Sequence, residues 1–190
     1  MKYILTPLLL CLTMTGCAVS NPSIQEPLIS FRGLVLGSAP LPDMQLLDEG
    51  SLFGEITDTY INPSDQLRFG NLPISQITYR YFDQKLYSIE LDLSSPAQSR
   101  CPMVSQIISA LNARYAISMT PIIADYSDPF FLYSWTGSEA DISYMCMAAT
   151  NDNAITIESI PLRALVKELE DEAMRQWKQG ESELMMRSLE

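Results

Sequence analysis

The strongest constraint on the fold is a pair of alternating segments, residues 77–82 and 87–93, joined by a short polar turn. The residues that share one side of the two segments are Ile77, Tyr79, Tyr81, Tyr87, Ile89, Leu91 and Leu93. Because successive side chains of a strand point to opposite faces, this period of two predicts a β-hairpin with one polar face. The turn at Asp83-Gln84 lacks glycine, so a longer or bulged loop is an alternative to a tight turn.

A helix is predicted directly after this hairpin. Ser95 and Pro96 have the residue types of a helix cap and a first helical position, and a second start lies between Ser99 and Pro102. Apolar residues then recur at helical spacing, at Cys101, Val104, Ile108, Leu111 and Tyr115. This periodicity predicts a helix over residues 101–115 that docks on the sheet.

Further strands are predicted on both sides of the hairpin and helix, because short segments rich in β-branched and aromatic residues alternate with turn residues. They lie at residues 54–61, 67–70, 130–135, 140–149 and 153–160. The segments 130–135 and 140–149 flank the turn "TGSE" and therefore predict a second hairpin. The connection 116–129 is predicted to be irregular.

The C-terminal part of the chain, from Pro161 onward, predicts an amphipathic helix. Its apolar stripe consists of Leu162, Leu165, Val166, Leu169, Ala173 and Trp177, with charged residues between them. Gly180 is predicted to end or break this helix. Residues 181–190 are then either a frayed end or a short partner-binding segment.

Together these elements predict an α+β fold. It has a mostly antiparallel sheet of five to seven strands, one helix inserted between hairpins, and a C-terminal helix. A single domain over residues 31–160 is expected, followed by the helix and tail over residues 161–190.

The beginning of the chain has the pattern of a secretory signal. Lys2 precedes an apolar run at residues 3–15, which is shorter than the ~20 residues that a transmembrane helix needs. Such a run is typical of the hydrophobic region of a signal peptide.

The junction Thr15-Gly16-Cys17 resembles the lipobox of bacterial lipoproteins. The resemblance implies that residues 1–16 are cleaved as a signal peptide and that Cys17 carries a diacylglyceryl thioether and an acylated amino group, with palmitate as the expected fatty acid. Residues 17–30 would then form a lipidated tether. Ala18 implies the outer membrane by the sorting habit of this class. The alternatives are a plain cleaved signal peptide or an uncleaved anchor.

A faint second resemblance concerns the globular part. The segments "FRGLVLGS" and "ALNARY" are similar to parts of small secreted bacterial α+β domains of unassigned function. Those domains pair a G-x-x-L-G opening with a helix that ends in Arg-Tyr-Gly. Here Ala116 stands in place of the last glycine, and Pro40 and Pro42 interrupt the opening.

Two cysteines remain once Cys11 leaves with the signal peptide and Cys17 is lipidated. Cys101 and Cys146 form an even pair in an oxidising compartment, which predicts a disulfide between them. Two free thiols or a metal-binding pair are the alternatives. A zinc site is disfavoured because the chain contains no histidine.

Composition excludes several classes of function. The net charge is −11, and an acidic surface repels nucleic acid phosphates. The absence of histidine removes Ser–His–Asp and Cys–His catalysis. No phosphate-binding glycine loop is present, and no catalytic residue, metal ligand or cofactor is predicted. The acidic pairs that remain are Glu90 with Asp92, Asp125 with Asp128, and Glu139 with Asp141, which are interpreted as solvated surface.

The sequence therefore predicts an outer-membrane-anchored lipoprotein that faces the periplasm and acts as a non-catalytic binding or envelope-assembly module. Its expected partners are the membrane, through the lipid anchor, and an envelope protein. This hypothesis predicts an exposed apolar or aromatic patch. A periplasmic inhibitor or immunity lipoprotein is an alternative, because strong acidity suits the masking of a basic active site. A hydrolase that uses carboxylates alone is a less favoured third hypothesis.

Overall fold

The chain folds into the α+β architecture that its alternating pattern predicts. The computed structural model describes residues 30–50, 56–93, 104–125, 130–147 and 152–187. The signal peptide, Cys17, most of the tether and Cys101 lie outside these described residues. In the described part, the elements are β1 (Ser30–Phe31), β2 (Leu34–Val35), β3 (Gln45–Asp48), β4 (Asp58–Ile61), β5 (Arg68–Phe69), β6 (Leu72–Phe82), β7 (Lys85–Leu93), α1 (Val104–Tyr115), β8 (Thr120–Asp125), β9 (Phe130–Thr136), β10 (Ala140–Met147), β11 (Asp152–Ser159) and α2 (Ile160–Arg187).

One large antiparallel sheet organises the domain. Its strand order is β3-β4-β6-β7-β11-β10-β9-β8, with β5 paired to β6 off this path, while β1 and β2 form a separate small sheet. The pairing of β7 with β11 joins the N-terminal strands to the C-terminal ones, with Ile89 opposite Ile157 and Leu91 opposite Ile155. The sheet is thus larger than the five to seven strands predicted.

The two faces of this sheet differ sharply in polarity. One register row runs through Tyr60, Tyr79, Ile89, Ile157, Ile142 and Trp135. The four central residues of this row are fully buried, so this side is called the core face. The next row runs through Arg80, Ser88, Glu158, Asp141 and Thr136. Side chains of this second row point to the opposite side, which is called the polar face.

Helix α1 covers the core face. Its residues Ile107, Leu111 and Tyr115 are buried in the same hydrophobic cluster as the strands, as the predicted periodicity requires. The helix is described from Val104, so the predicted first turn at residues 101–103 lies outside the described residues. At the other end Ala116 has φ 53°, a left-handed conformation that glycine adopts at far lower cost.

The turn between β6 and β7 is tight even though it lacks glycine. Phe82 pairs with Lys85, so the loop has two residues, and a longer loop is excluded. Asp83 and Gln84 both have positive φ, 48° and 59°. That is the backbone of a type I′ turn, whose twist matches that of the flanking strands. The strong cross-strand pattern on either side imposes this conformation on residues that seldom adopt it.

Both edge strands carry a β-bulge, which limits pairing with other chains. In β3 the extra residue is Leu47, and in β8 it is Ile122; both side chains are exposed. The prediction that residues 116–129 are irregular is wrong for the part that forms β8. Strand β8 contains Pro121, which an edge strand tolerates because one side of its backbone needs no hydrogen bond.

A buried ion pair fastens the small β1–β2 sheet to the large one. The Arg32 guanidinium lies 3.0 Å from Oδ1 of Asp65, and the Tyr79 hydroxyl donates to Oδ2 of Asp65 at 2.6 Å. Arg32 also donates to the backbone carbonyls of Gln66 and Arg68. Burial and the hydrogen bond to Asp65 raise the pKa of Tyr79 well above its ordinary value. With the Tyr79 hydroxyl protonated, the cluster therefore joins the turn between β1 and β2, residues 65–68 and strand β6.

The substitution Ala116→Gly is expected to stabilise the domain by about 1 kcal/mol, because it removes the cost of a left-handed conformation for a residue with a Cβ atom. Urea denaturation of the purified protein measures the effect. Ala110→Gly, within α1, is the matched control and should destabilise by a similar amount. A lower denaturation midpoint for Ala116→Gly would contradict the assigned conformation.

Candidate functional site

The polar face of the sheet holds the first turn of α2. The Arg163 guanidinium lies 3.0 Å from a carboxylate oxygen of Glu158 and 3.8 Å from one of Asp141. The backbone N–H of Ile160 donates to the carbonyl of Glu139 at 3.0 Å. Because Asp141 and Glu158 are directly opposite each other across β10 and β11, one arginine pairs with both and offsets one of their two negative charges. These contacts fix the first turn of α2 relative to the sheet.

Burial dominates the electrostatics of this ion-paired group. Burial raises the pKa of Glu158, and the neighbouring Asp141 raises it further, while Arg163 and Arg80 lower it. Arg80 in turn pairs with Glu90 at 3.0 Å. The charges alternate in sign across the face, which favours a structural role over a free carboxylate pair.

Of the acidic pairs named from the sequence, the two that lie wholly within the described residues do not form a catalytic site. Glu90 is paired with Arg80, and Asp92 follows it along the polar face of β7. The carbonyl of Glu139 accepts a hydrogen bond from Ile160, the first residue of α2, and Asp141 pairs with Arg163 of the same helix. Asp125 ends β8, and Asp128 lies outside the described residues. Among the residues that the structure describes, no group of three or more histidine, cysteine or acidic residues is placed to hold a metal ion.

The pair that sequence reasoning missed is Asp141 with Glu158. Each looks like an ordinary exposed residue of an alternating strand. Their proximity depends on the register between β10 and β11, and their role depends on Arg163 in the next element. The register could have been inferred from the strict alternation of both strands, but the arginine contact could not.

Helix α2 touches the sheet over its first half only. Val166 is buried, and Ala173 is half-buried. From Met174 to Gly180 every residue is exposed. The helix continues through Gly180 to Arg187, so the prediction that Gly180 ends or breaks it is wrong. A helix of 28 residues is about 42 Å long.

An apolar surface remains uncovered on α2. Leu165, Leu169, Met174 and Trp177 are 42%, 39%, 37% and 46% exposed; they are called the α2 stripe. Residues 165, 169, 173 and 177 are spaced four apart, so they follow one ridge along the helix. Exposed leucines are common singly, but a row that includes a tryptophan indicates an interaction surface.

Acidic residues border this stripe. Glu168 and Glu172 lie three positions after Leu165 and Leu169, which places them beside the leucines on the helix surface. Glu172 also accepts a hydrogen bond from Arg175 at 2.7 Å, and this pairing lowers the pKa of its carboxyl group. The long edge of the stripe next to the two leucines is therefore negatively charged.

Two concave regions are present elsewhere. A groove of about 700 Å³ lies between α1 and β9, lined on one side by Ser105, Ser109 and Asn112 and on the other by Phe131 and Tyr133. A smaller hollow of about 380 Å³ lies beside Asp65, next to Leu47 and Leu67. Both oxygens of Asp65 are already engaged by Arg32 and Tyr79, so this hollow offers no free charge.

Of the two cysteines predicted to form a disulfide, Cys146 lies in the described part of the chain, where it is buried in β10. Its cross-strand neighbour Phe131 lines the same groove as Val104, the first described residue of α1. Cys101 lies outside the described residues, three positions before Val104, so its pairing with Cys146 stays a prediction.

Comparisons with protein families, curated proteins and solved structures found no match to this chain. Within the described ranges, neither helix has the length and apolar character needed to span a bilayer.

The substitution Arg163→Gln is expected to lower the free energy of unfolding by about 1 kcal/mol at pH 7, because Glu158 and Asp141 then repel each other without compensation. The pKa of Glu158 is already raised, and losing Arg163 raises it further. A carboxyl group with a raised folded-state pKa favours the folded protein below its ordinary pKa and loses that effect as the pH rises. The destabilisation caused by Arg163→Gln should therefore become smaller as the pH falls towards pH 4.

Urea denaturation between pH 4 and pH 8 measures this dependence. Arg175→Gln is the matched control, since Arg175 lies on the exposed part of the same helix and pairs only locally with Glu172 among the described residues. It should cost less than about 0.5 kcal/mol. An Arg163→Gln effect that is constant with pH would contradict the proposed role of the two carboxylates.

Proposed function

We propose that this protein is an outer-membrane-anchored periplasmic lipoprotein that acts as a non-catalytic binding or envelope-assembly module, and that α2 engages its protein partner. The observation that carries the proposal is the α2 stripe, an apolar row that stays exposed on the surface of a helix. It is the kind of patch that the binding hypothesis predicts.

The side chains of the stripe suit a protein contact. Tryptophan supplies a large apolar area together with a hydrogen-bonding N–H, and it is enriched among the residues that dominate binding energy. Fully burying a leucine or methionine side chain contributes about 1.5–3 kcal/mol. The α2 stripe, with Trp177 near its far end, therefore offers enough apolar surface for a specific complex once a partner covers it.

The arrangement of charges favours binding over catalysis. Glu90 pairs with Arg80, and Glu158 and Asp141 pair with Arg163, so these carboxylates help to hold the sheet and α2 together. A glycosidase-like mechanism needs one carboxyl group to donate a proton and another to act as base or nucleophile. Two carboxylates that share one arginine are poorly suited to this division of roles.

The proposed lipid anchor is compatible with the binding of a neighbouring protein through α2. From Cys17 to the first strand at Ser30 the chain is long enough to extend about 40 Å. A lipid attached at Cys17 would hold the domain near the bilayer and leave α2 free to reach a neighbouring protein. The net charge of −11 disfavours contact between the domain surface and anionic head groups.

The proposal is tested by site-specific photocrosslinking in cells that express the full chain. A benzophenone amino acid placed at residue 169 should yield a crosslink to a protein in the membrane fraction. The same group at residue 167 is the matched control, because Lys167 is exposed and lies two positions away, on the other side of the helix. The crosslink from position 169 should exceed that from position 167 severalfold.

A second control tests the anchor. The substitution Cys17→Ser should move the protein from the membrane fraction to the soluble fraction, because the predicted lipid attachment is lost. Equal labelling from positions 167 and 169, or none from either, would overturn the assignment of α2 as the binding element. Retention of the Cys17→Ser protein in membranes would overturn the anchor.

A further inference from the structure

We infer that three arginines near the start of the folded domain bind anionic lipid head groups of the membrane to which the proposed anchor attaches the protein. The residues are Arg32, Arg68 and Arg114, which are called the arginine patch. The inference rests on the proposed function, since the lipid anchor brings this surface to the bilayer. It adds a second contact with the membrane and gives the anchored domain a defined orientation.

One aromatic ring holds two of these cations together. The Arg32 guanidinium lies 4.9 Å from the centre of the Phe31 ring, and the Arg114 guanidinium lies 5.4 Å from the same centre. Arg32 also donates to the backbone carbonyl of Arg68 at 2.8 Å, which brings the third residue of the patch next to the first. The patch therefore joins the turn between β1 and β2, strand β5 and the last turn of α1.

Arg68 and Arg114 keep their charges available to a ligand. Both are exposed, and neither forms an ion pair with another residue of the described ranges. The Arg114 guanidinium also lies 5.8 Å and 5.6 Å from the ring centres of Phe69 and Tyr115. Stacking on aromatic rings orients a guanidinium and leaves N–H groups at its edge for hydrogen bonds to phosphate oxygens.

The chain segments that carry the patch contain no acidic residue. Residues 30–42, 66–82 and 104–124 include all three arginines but neither aspartate nor glutamate. Asp65, just before the second segment, pairs with Arg32, and its side chain is only 7% exposed. Three arginines and this one aspartate leave a local excess of two positive charges, in a chain whose net charge is −11.

The patch lies where the chain enters the domain from the side of the proposed anchor. Ser30, the first described residue, directly precedes Phe31, the ring that Arg32 and Arg114 share. A domain tethered by a lipid at Cys17 stays at high effective concentration beside the bilayer. Arginines near an anionic surface are attracted to it, so a small patch is enough to bias the orientation of a tethered domain.

Contact through the patch would turn α2 away from the bilayer. Helix α1, which carries Arg114, covers the core face, whereas Arg163 docks α2 on the polar face. The two helices therefore lie on opposite sides of the sheet. The net charge of −11 opposes contact with anionic lipid through the domain surface as a whole, which favours the orientation in which the arginines face the head groups.

The inference is tested with the full chain, purified from membranes and reconstituted in lipid vesicles. A benzophenone amino acid at residue 113, which is exposed and adjacent to Arg114, reports contact with lipid through mass spectrometry of the crosslinked product. The lipid crosslink should be about fivefold or more stronger in vesicles with about 30% phosphatidylglycerol than in pure phosphatidylcholine. It should weaken at 1 M salt, where the screening length falls from about 10 Å to about 3 Å.

Charge removal then identifies the residues responsible. Arg68→Gln, which leaves the aromatic stack intact, should reduce the lipid crosslink in anionic vesicles about fivefold, the factor that one arginine near such a surface contributes to binding. Adding Arg114→Gln should reduce it further, whereas Arg114→Lys, which keeps the charge, should retain most of it. The matched control removes two charges from the exposed part of α2, by Arg175→Gln and Lys178→Gln, and should leave the yield nearly unchanged.

Three outcomes would overturn the inference and leave the proposed function standing. They are equal lipid crosslinks in anionic and neutral vesicles, equal loss of yield in the patch variants and in the α2 control, and a crosslink from residue 113 in cells to a protein without any to lipid. Failure of the unsubstituted chain to remain with neutral vesicles would instead end the proposed anchor together with the inference.

Discussion

The pairing of β7 with β11 is the contact on which the rest of the structure depends. It joins two sets of strands that are distant in sequence, and it sets Ile89 and Leu91 against Ile157 and Ile155, all fully or nearly fully buried. Without it, the β6–β7 hairpin and the β8–β11 strands would each expose an apolar face that neither can bury alone. Because α2 follows β11 directly, the same pairing also decides where that helix begins.

With this register, the two faces of the sheet pack against different elements. Residues of the core face pack against α1, and the buried Arg32–Asp65–Tyr79 cluster fastens the small β1–β2 sheet nearby. On the polar face, Arg163 joins the start of α2 to Asp141 and Glu158. Beyond Ala173, the described side chains of α2 are exposed as far as Gly180. The α2 stripe begins earlier, at Leu165, and remains uncovered along the helix surface.

Much of the fold follows from local patterns, whereas the candidate site follows only in part. The alternation in residues 77–93 predicts the central hairpin, and the 3.6-residue period predicts both helices. The prediction of an irregular connection missed β8, since local rules do not reveal that a strand lies at an edge. The apolar stripe of α2 is visible in the sequence, but which part the sheet covers depends on Arg163 and on the β10–β11 register. Those contacts join residues from three elements, and no local pattern specifies them.

The central claim is that residues 174–180 of α2 have no packing partner among the described residues of the domain. Hydrogen–deuterium exchange of the isolated protein tests it most directly. Backbone amides of residues 160–173 should be protected, because Val166 and the Arg163 ion pairs dock that half on the sheet. Amides of residues 174–180 should exchange far faster, since a helical segment without tertiary packing is marginally stable in water. Equal protection of both halves would mean that the stripe is already covered, and would contradict the account.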